Sequence, residues 1–343
     1  MRLRATVIGL AGALALGTGS SARAATQCQM QELAELPVNV DGPMNTIEVQ
    51  INGQPARMLV DTGSSFPFLL QSGAARLNLA PAQIPGYTEV TSYGVGGKGP
   101  GGAVRIKELK VGGLVARNLD MLLSGQGLGG GVDGVLGATF LLQTDVEFDL
   151  PEGKIRFFKP RDCAGDQVVY WGKAYSVAPL LGDSPRQIVV IVSLDGAPIR
   201  TLMDTGASAS VVTPAAAARA GVTIKSSGGA ASQTIRGLGP QAVRFGVGVF
   251  PTFAFGSDET IKNAKMQIAD LFHADKETPI GSNIPVSAVQ EQMLLGSDFF
   301  RAHHVYVARS QGKVYVSYMG GPVFQIPGAA SPAPTTAPAP AAK

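Results

Sequence analysis

Two short turns carry the residues of this chain that could do chemistry. Each has an aspartate followed by Thr-Gly, with Asp61 in the first turn and Asp204 in the second. Two carboxylates held close together cannot both ionise, so they share a proton, and one can act as a base while the other acts as an acid. A single Asp-Thr-Gly is an ordinary turn sequence. The chemistry therefore depends on the chain bringing both copies together.

The repeat extends beyond the two turns. Aligned without gaps on the two aspartates, residues 51–65 and 194–208 are identical at eight of fifteen positions. A fixed-period repeat of this kind indicates two similar halves. In each half an apolar strand-like run leads into the aspartate, so each carboxylate is expected on a turn held by a sheet. Symmetry then places Asp61 and Asp204 face to face.

A glycine-rich hairpin follows each turn at the same distance. Residues 94–96 lie as far beyond Asp61 as residues 237–239 lie beyond Asp204. No Gly-Lys-Ser/Thr follows the first hairpin, which excludes a Walker-type phosphate loop. The candidate hairpin residues are Tyr93, Gly94, Val95, Gly96 and Gly97 in the first half and Gly237, Leu238 and Gly239 in the second.

An apolar-apolar-Gly segment closes each half, at 135–137 and at 294–296. It lies farther beyond the aspartate in the second half than in the first, so the second half is the longer of the two. We assign this excess to residues 256–290, a polar stretch without a counterpart in the first half. Its apolar residues are expected to face inward from a short helix, namely Ile261, Ile268, Leu271 and Phe272.

Composition favours an all-β protein. The 343 residues are 45% hydrophobic, which is enough for two domains, and 44 glycines separate short β-branched runs. The net charge of +3 disappears when three N-terminal arginines are set aside, so charge predicts no nucleic-acid partner. No spacing supports a metal site, since His303 and His304 are adjacent in a predicted strand and point to opposite faces. We expect no cofactor.

The N-terminal segment 1–24 has the anatomy of a secretory signal peptide. Arg2 and Arg4 precede an apolar run at 5–16, and residues 22–24 read small-x-small. We therefore expect a periplasmic or secreted protein with no membrane span after signal removal. An uncleaved anchor stays as an alternative, and a lipidated Cys28 is a less favoured one.

Export affects how the two cysteines are interpreted. An even count in an exported chain predicts a disulfide between Cys28 and Cys163. In the loop-entropy model such a bridge stabilises the fold by on the order of 4–5 kcal/mol. Two unpaired thiols are the alternative.

Together these residues resemble the aspartic proteases, specifically the retropepsin-like unit duplicated in one chain. That family has, in each half, an apolar-Asp-Thr-Gly-Ser/Ala turn, a glycine-rich flap and a crossing apolar-apolar-Gly segment. Residues 94–97 are similar to the retroviral flap, and with Tyr93 they also resemble the flap of pepsins. The resemblance implies an all-β, two-lobed, pseudo-symmetric acid-protease barrel fold with a central cleft. It also implies a monomer, as an internal pseudo-dimer, and a polypeptide substrate.

The resemblance assigns supporting roles to the rest of both turns, namely Thr62, Gly63, Ser64, Thr205, Gly206 and Ala207. The threonines would hydrogen-bond across the turns, and the glycines would let the loops approach. Ser64 would bond the outer oxygen of Asp61, whereas Ala207 could not do this for Asp204. One departure is Thr139, where the family often has Asp or Asn; the second half has Asp298 there.

The implied activity is that of an aspartic endopeptidase, in which water activated by Asp61 and Asp204 attacks a peptide bond. One alternative is a non-catalytic envelope protein that binds peptides in the same cleft. Another is an envelope scaffold, supported only by the Pro/Ala-rich tail. The predicted order is signal peptide 1–24, N-terminal segment 25–39, first lobe 40–160, linker 161–175, second lobe 176–326 and disordered tail 327–343.

Overall fold

The computed structural model describes residues 28–84, 91–223, 234–271 and 292–324. The predicted signal peptide and tail lie outside the described residues, as does most of the predicted insertion at 256–290. Within the described ranges, no helix is long and apolar enough to cross a membrane.

The structure consists mainly of strands. In chain order they begin with β1 (Gln29–Pro37), β2 (Thr46–Ile51), β3 (Gln54–Val60), β4 (Phe68–Leu69), β5 (Thr91–Gly94), β6 (Gly97–Val111), β7 (Leu114–Ser124), β8 (Gly134–Leu136), β9 (Asp145–Asp149) and β10 (Lys154–Arg161). They continue with β11 (Ser176–Pro179), β12 (Val189–Leu194), β13 (Ala197–Met203), β14 (Val211–Val212), β15 (Thr234–Ile235), β16 (Val243–Arg244), β17 (Gly246–Phe255), β18 (Glu259–Ile268), β19 (Met293–Leu295), β20 (His303–Ala308) and β21 (Lys313–Tyr318).

The helices are short. They are α1 (Gln71–Arg76), α2 (Ala138–Leu141), α3 (Pro214–Arg219) and α4 (Ser297–Phe300), with 3₁₀ turns at Leu150–Glu152, Gly165–Val168 and Arg309–Gln311.

Each half forms a six-stranded barrel. In the first half the order is β2-β3-β8-β4-β7-β6, and the pairing of β2 with β6 closes it. In the second half the order is β12-β13-β19-β14-β18-β17. Corresponding strands of the repeat occupy corresponding places in the two barrels. The predicted all-β, two-lobed, pseudo-symmetric fold is confirmed.

Local sequence explains the hairpin that leads to each aspartate. In β2, exposed and buried residues alternate over most of the strand, as expected for a strand with one face in a core. The turns after β2 and β12 have Asn-Gly and Asp-Gly, and all four residues have positive φ: 52° at Asn52, 79° at Gly53, 49° at Asp195 and 83° at Gly196. This is the backbone of a type I′ turn, which suits a two-residue hairpin. The repeat thus preserves turn geometry as well as sequence.

A shared sheet joins the halves. Its order is β1-β10-β9-β20-β21-β11, and β9 of the first half pairs antiparallel with β20 of the second. The predicted disulfide between Cys28 and Cys163 is present and ties the start of β1 to the end of β10. Because the central pair takes one strand from each half, backbone hydrogen bonds of this sheet link the two lobes.

The helix expected within 256–290 is wrong where the structure describes that segment. Residues 259–268 form β18, which pairs with β17 along its whole length, so sheet pairing overrides the helical interpretation. Ile268 is buried and Ile261 packs partly on the core, while Phe272 lies outside the described residues. The connection from β7 to β8 covers only 125–133, whereas that from β18 to β19 covers 269–292. Most of the excess length of the second half therefore falls after β18.

Candidate active site

Asp61 and Asp204 follow directly on the last residues of β3 and β13. The backbone N–H of Asp61 donates to the carbonyl of Leu136 at 3.1 Å, and that of Asp204 donates to the carbonyl of Leu295 at 2.8 Å. These acceptors belong to β8 and β19, which run parallel to β3 and β13. The crossing segments of the repeat therefore hold the two aspartates in place.

The two carboxyl groups meet across the interface of the halves. A Cβ added to Gly63 would lie 2.5 Å from the carboxyl carbon of Asp204, and one added to Gly206 would collide equally with the carboxyl of Asp61. Each glycine is therefore required for the close approach of the opposite acid. The structure brings together the two residues that the sequence repeat singled out.

Backbone amides orient each carboxyl group. Oδ1 of Asp61 accepts from the N–H groups of Gly63 and Ser64, both at 2.9 Å. Oδ1 of Asp204 accepts from Gly206 at 2.8 Å and from Ala207 at 3.3 Å. One oxygen of each acid is thus fixed by its own turn.

The threonines of the turns bond to each other. The N–H of Thr62 donates to Oγ1 of Thr205 at 3.1 Å, and the N–H of Thr205 donates to Oγ1 of Thr62 at 3.0 Å. Each hydroxyl then donates across the interface, Thr62 to the carbonyl of Met203 at 2.7 Å and Thr205 to that of Val60 at 2.8 Å. Both threonines are buried. Four bonds in a dry setting hold the turns rigidly against each other.

The expectation for the Ser64 hydroxyl is wrong. Its Oγ donates to the carbonyl of Phe66 at 3.0 Å, and only its backbone N–H reaches Asp61. The hydroxyl finds this acceptor within its own turn, so it does not turn toward the acid. The asymmetry between Ser64 and Ala207 lies instead in the two backbone bonds, 2.9 Å against 3.3 Å.

Burial and mutual proximity shift the acidity of the pair. Burial raises the pKa of Asp61 well above its usual range, and the charge of Asp204 raises it further. Burial also raises the pKa of Asp204, although hydrogen bonds to its carboxylate oppose this. The pair therefore keeps a proton at a pH at which two exposed aspartates would have lost theirs. Such a pair can give one proton and take another.

The two glycine hairpins touch at their tips. The first is the β5–β6 hairpin, with Tyr93 and Gly94 in β5, Val95 and Gly96 at the turn and Gly97 at the start of β6. The second spans the loop between β15 and β16, where Gly237, Leu238 and Gly239 lie. The N–H of Gly239 donates to the carbonyl of Val95 at 2.9 Å, and that of Gln241 donates to Gly96 at 3.0 Å. A Cβ on Gly239 would overlap the backbone of Gly96.

Leu238 reaches across to the first half. It packs on an apolar cluster formed by Leu59, Phe68, Leu70, Val132 and Val135. Leu59 lies in β3, just before Asp61. The second hairpin is therefore anchored beside the strand that carries the first aspartate.

Asn45 is a site residue that the sequence analysis missed. It is fully buried, and its Nδ2 donates to the carbonyl of Thr205 at 3.1 Å and to Oγ of Ser297 at 2.7 Å. Arg301 donates to its Oδ1 at 2.8 and 3.0 Å. Asn45 thus ties the first half to the second turn. At the spacing of the repeat its counterpart is Ile188, so comparing the halves could not reveal it.

A further set of hydrogen bonds supports the second turn and, among the residues that the structure describes, has no equivalent in the first half. Asp298 accepts from the backbone N–H of Ser210 at 2.9 Å and from its hydroxyl at 2.6 Å, and that hydroxyl accepts from Gly296 at 2.9 Å. Burial raises the pKa of Asp298 to about 6. In the first half Thr139 donates only its backbone N–H to Ser65, at 3.1 Å. The two turns are therefore unequally supported, because the first half has Thr139 where the second half has Asp298.

A buried acidic cluster lies in the shared sheet, away from these turns. Glu147, Asp149 and His304 present ligand atoms within 4.8 Å of one another. Arg156 already contacts both carboxylates, and Tyr170 donates to Glu147. With a guanidinium supplying the positive charge there, we assign the group to an ion-pair network. His303 and His304 stack on different rings, those of Phe299 and Trp171, as expected for opposite faces.

One protein-family model matches the chain twice, once around each turn. A family model described as aspartyl protease matches residues 47–140 and 190–299. No curated protein matches the chain. Among solved structures, the crystal structure of basic 7S globulin from soybean is similar at 12% identity and a TM-score of 0.44, covering 84% of this chain and 95% of that one. The two matched segments contain Asp61 and Asp204.

Proposed function

The chain belongs to the aspartyl protease family, and from this premise we propose that it is an aspartic endopeptidase that cleaves extended polypeptides with Asp61 and Asp204. The observation that carries the proposal is the contact between the two carboxyl groups across the threonine-bonded turns. At the family level this is a hydrolase of the peptidase type. The proposal of an endopeptidase that uses Asp61 and Asp204 rests on the geometry of these two carboxyl groups.

The chemistry follows from the single proton that the pair holds. The ionised carboxylate takes a proton from a water molecule, whose oxygen attacks the carbonyl carbon of the peptide bond. The protonated carboxyl gives its proton to the carbonyl oxygen, and a tetrahedral diol forms. The C–N bond then breaks as one carboxyl of the pair gives its proton to the amide nitrogen while the other carboxylate takes a proton from a hydroxyl of the diol, which becomes the new carboxyl group, so the pair again holds one proton. We assign the shared proton to the pair rather than to one residue.

The hairpin tips would act as a gate. Their mutual bonds between Val95 and Gly239 and between Gly96 and Gln241 involve backbone groups. A polypeptide entering the cleft would require the tips to separate, and their closure over it would exclude bulk water. Each half contributes one hairpin and one aspartate, so a single chain supplies the whole site. We therefore propose a monomeric enzyme.

The decisive experiment uses an unfolded protein as substrate. We expect cleavage between acid and neutral pH, blocked by a statine-type transition-state analogue and abolished in Asp61→Asn and in Asp204→Asn. Asp120→Asn is the matched control, because Asp120 makes an exposed ion pair with Arg105 across strands β6 and β7. Cleavage that persists in both active-site variants would refute the assignment. Binding of the analogue without any cleavage by the wild type would favour the peptide-binding alternative.

We further propose that the enzyme acts in the periplasm or outside the cell. The signal-like segment 1–24 supports this location, and the Cys28–Cys163 disulfide suits an oxidising compartment. Mass spectrometry of the protein from its native compartment is expected to find a mature chain beginning near Ala25 with no free thiol. A cytosolic chain that retains Met1 and both thiols would contradict the proposal.

A further inference from the structure

An aromatic ring and a cation lie side by side next to the first catalytic turn. The guanidinium carbon of Arg186 lies 5.1 Å from the centroid of the Phe66 ring, which is the geometry of a cation–π contact. Both side chains are exposed, Phe66 to 39%. Phe66 comes from the first half and Arg186 from the second. The pair therefore spans the junction of the two halves.

Hydrogen bonds connect Phe66 and the neighbour of Arg186 to this turn. Gln187, the neighbour of Arg186, donates from Nε2 to the carbonyl of Gly63 at 3.4 Å. On the other side, the carbonyl of Phe66 accepts from the hydroxyl of Ser64. The Phe66 backbone also lies so close to Gly137 that a Cβ there would overlap it. These contacts hold the Arg186–Phe66 pair next to the turn that carries Asp61. They are made by the Phe66 backbone and by Gln187, so they leave the Phe66 ring and the Arg186 guanidinium exposed.

The charge of Arg186 is not neutralised by the residues that the structure describes. The nearest acid along the chain, Asp183, is bound by Arg200 at 3.0 and 3.1 Å. Within the described ranges Arg186 makes no ion pair. An exposed guanidinium with one face on an aromatic ring keeps its N–H edge free for a carboxylate.

The pair has no counterpart across the pseudo-symmetry axis. At the spacing of the repeat, Phe66 corresponds to Ala209 and Arg186 corresponds to Pro43. Ala209 is buried and offers no ring to the surface. A polypeptide lying across the two turns would therefore meet this cation–ring pair on one side only. This gives an otherwise symmetric site a direction.

We propose that Arg186 and Phe66 form a substrate subsite that selects an acidic side chain, Asp or Glu, on one side of the cleaved bond. This inference rests on the proposed endopeptidase function. Arg186 binds the substrate carboxylate through the N–H groups at the edge of its guanidinium. The Phe66 ring orients the guanidinium by stacking against it and also packs on the methylene groups of the substrate side chain. The opposite side of the bond has no such preference.

A set of matched peptides tests this subsite. Each peptide has one cleavage site and carries Glu, Gln or Lys at one position on either side of it, and kcat/KM is measured for each. The wild type is expected to favour Glu over Lys by about fivefold at one position, the range of an exposed charge pair. Arg186→Glu inverts this preference, and Phe66→Leu weakens it. The control Arg117→Gln, which alters an exposed arginine paired with Glu108 across strands β6 and β7, keeps the wild-type preference.

The outcomes separate this inference from the proposed function. An unchanged Glu-to-Lys ratio in Arg186→Glu would overturn it, as would an equal loss of rate on every peptide, which a purely structural role produces. Cleavage of all peptides without any charge preference would overturn the subsite and leave the endopeptidase intact. Failure of the wild type to cleave any peptide or unfolded protein would overturn both.

Discussion

Thr62 and Thr205 each accept a hydrogen bond from the other's backbone N–H, at 3.0 and 3.1 Å, in the buried interface of the two halves. Because of this exchange, neither Asp-Thr-Gly turn can move without the other. The relative position of the acids is therefore a property of the interface as much as of either turn.

Thr205→Val tests this interface. The valine keeps the shape of threonine but leaves the N–H of Thr62 and the carbonyl of Val60 without partners in a buried setting. We expect a loss of about 3 kcal/mol in the free energy of unfolding and at least a tenfold lower kcat, since each orphaned buried group costs about 1–3 kcal/mol. Thr201→Val is the control, because the buried hydroxyl of Thr201 bonds only to the nearby carbonyl of Ile199 in its own strand. Equal effects of the two substitutions in urea unfolding would contradict this role.

The raised pKa values of Asp61 and Asp204 predict activity that is lost on the alkaline side. The pair works with one shared proton, so kcat/KM falls as the pH rises through the raised pKa of Asp61 and the pair becomes doubly charged. It also falls at strongly acid pH, where both groups are protonated. A pH profile of cleavage, taken within the range in which the protein stays folded, measures this. Activity that rises to an alkaline plateau would contradict it.

Asp298 predicts a pH dependence of stability with a definite sign. Its pKa is raised to about 6 in the folded protein, above the value of 3.8 for an exposed aspartate. The stabilisation that comes from keeping this proton is complete below the unfolded pKa and is lost as the pH rises through the folded pKa. Relative to Asp298→Asn, the wild type should lose about 2 kcal/mol of unfolding free energy between pH 4 and pH 7. Parallel stability curves from urea unfolding of the two proteins would refute the shift.

The contact between the hairpin tips predicts a selective effect of Gly239→Ala. The added Cβ would overlap Gly96, so the tips are forced apart while the barrels are untouched. We expect KM to rise several-fold and amide exchange at residues 94–97 to accelerate, with little change in global stability. Gly113→Ala is the control, since Gly113 has open space around it and an ordinary φ. If both variants give the same KM and exchange rates, the tips do not interact in solution.

The sequence predicts the parts of the site that the repeat contains. The two turns, the register of the hairpins and the crossing segments are all copied between the halves, and matching residues lie in matching places. Asp61 and Asp204 lie at strand ends because the apolar runs before them form barrel strands, as their sequences predict. The exchange between the threonines follows from bringing two identical turns together.

Other features depend on contacts that no local pattern records. Asn45 has an apolar counterpart, Ile188, so its bonds to the second turn exist only in the first half. The Ser64 hydroxyl donates to the carbonyl of Phe66 and not to Asp61, and this choice depends on local side-chain geometry that sequence does not specify. The pairing of β9 with β20 joins strands that are far apart in the chain. The short helix expected within 256–290 is replaced over residues 259–268 by a strand, because that segment pairs with β17.

The central claim is that Asp61 and Asp204 form one site within one chain. Calorimetric titration with a statine-type analogue tests this most directly, because it needs no knowledge of the natural substrate. The result expected is one analogue bound per chain, with binding lost in Asp61→Asn and equally in Asp204→Asn. Two analogues per chain, or full binding retained by either variant, would contradict a shared site.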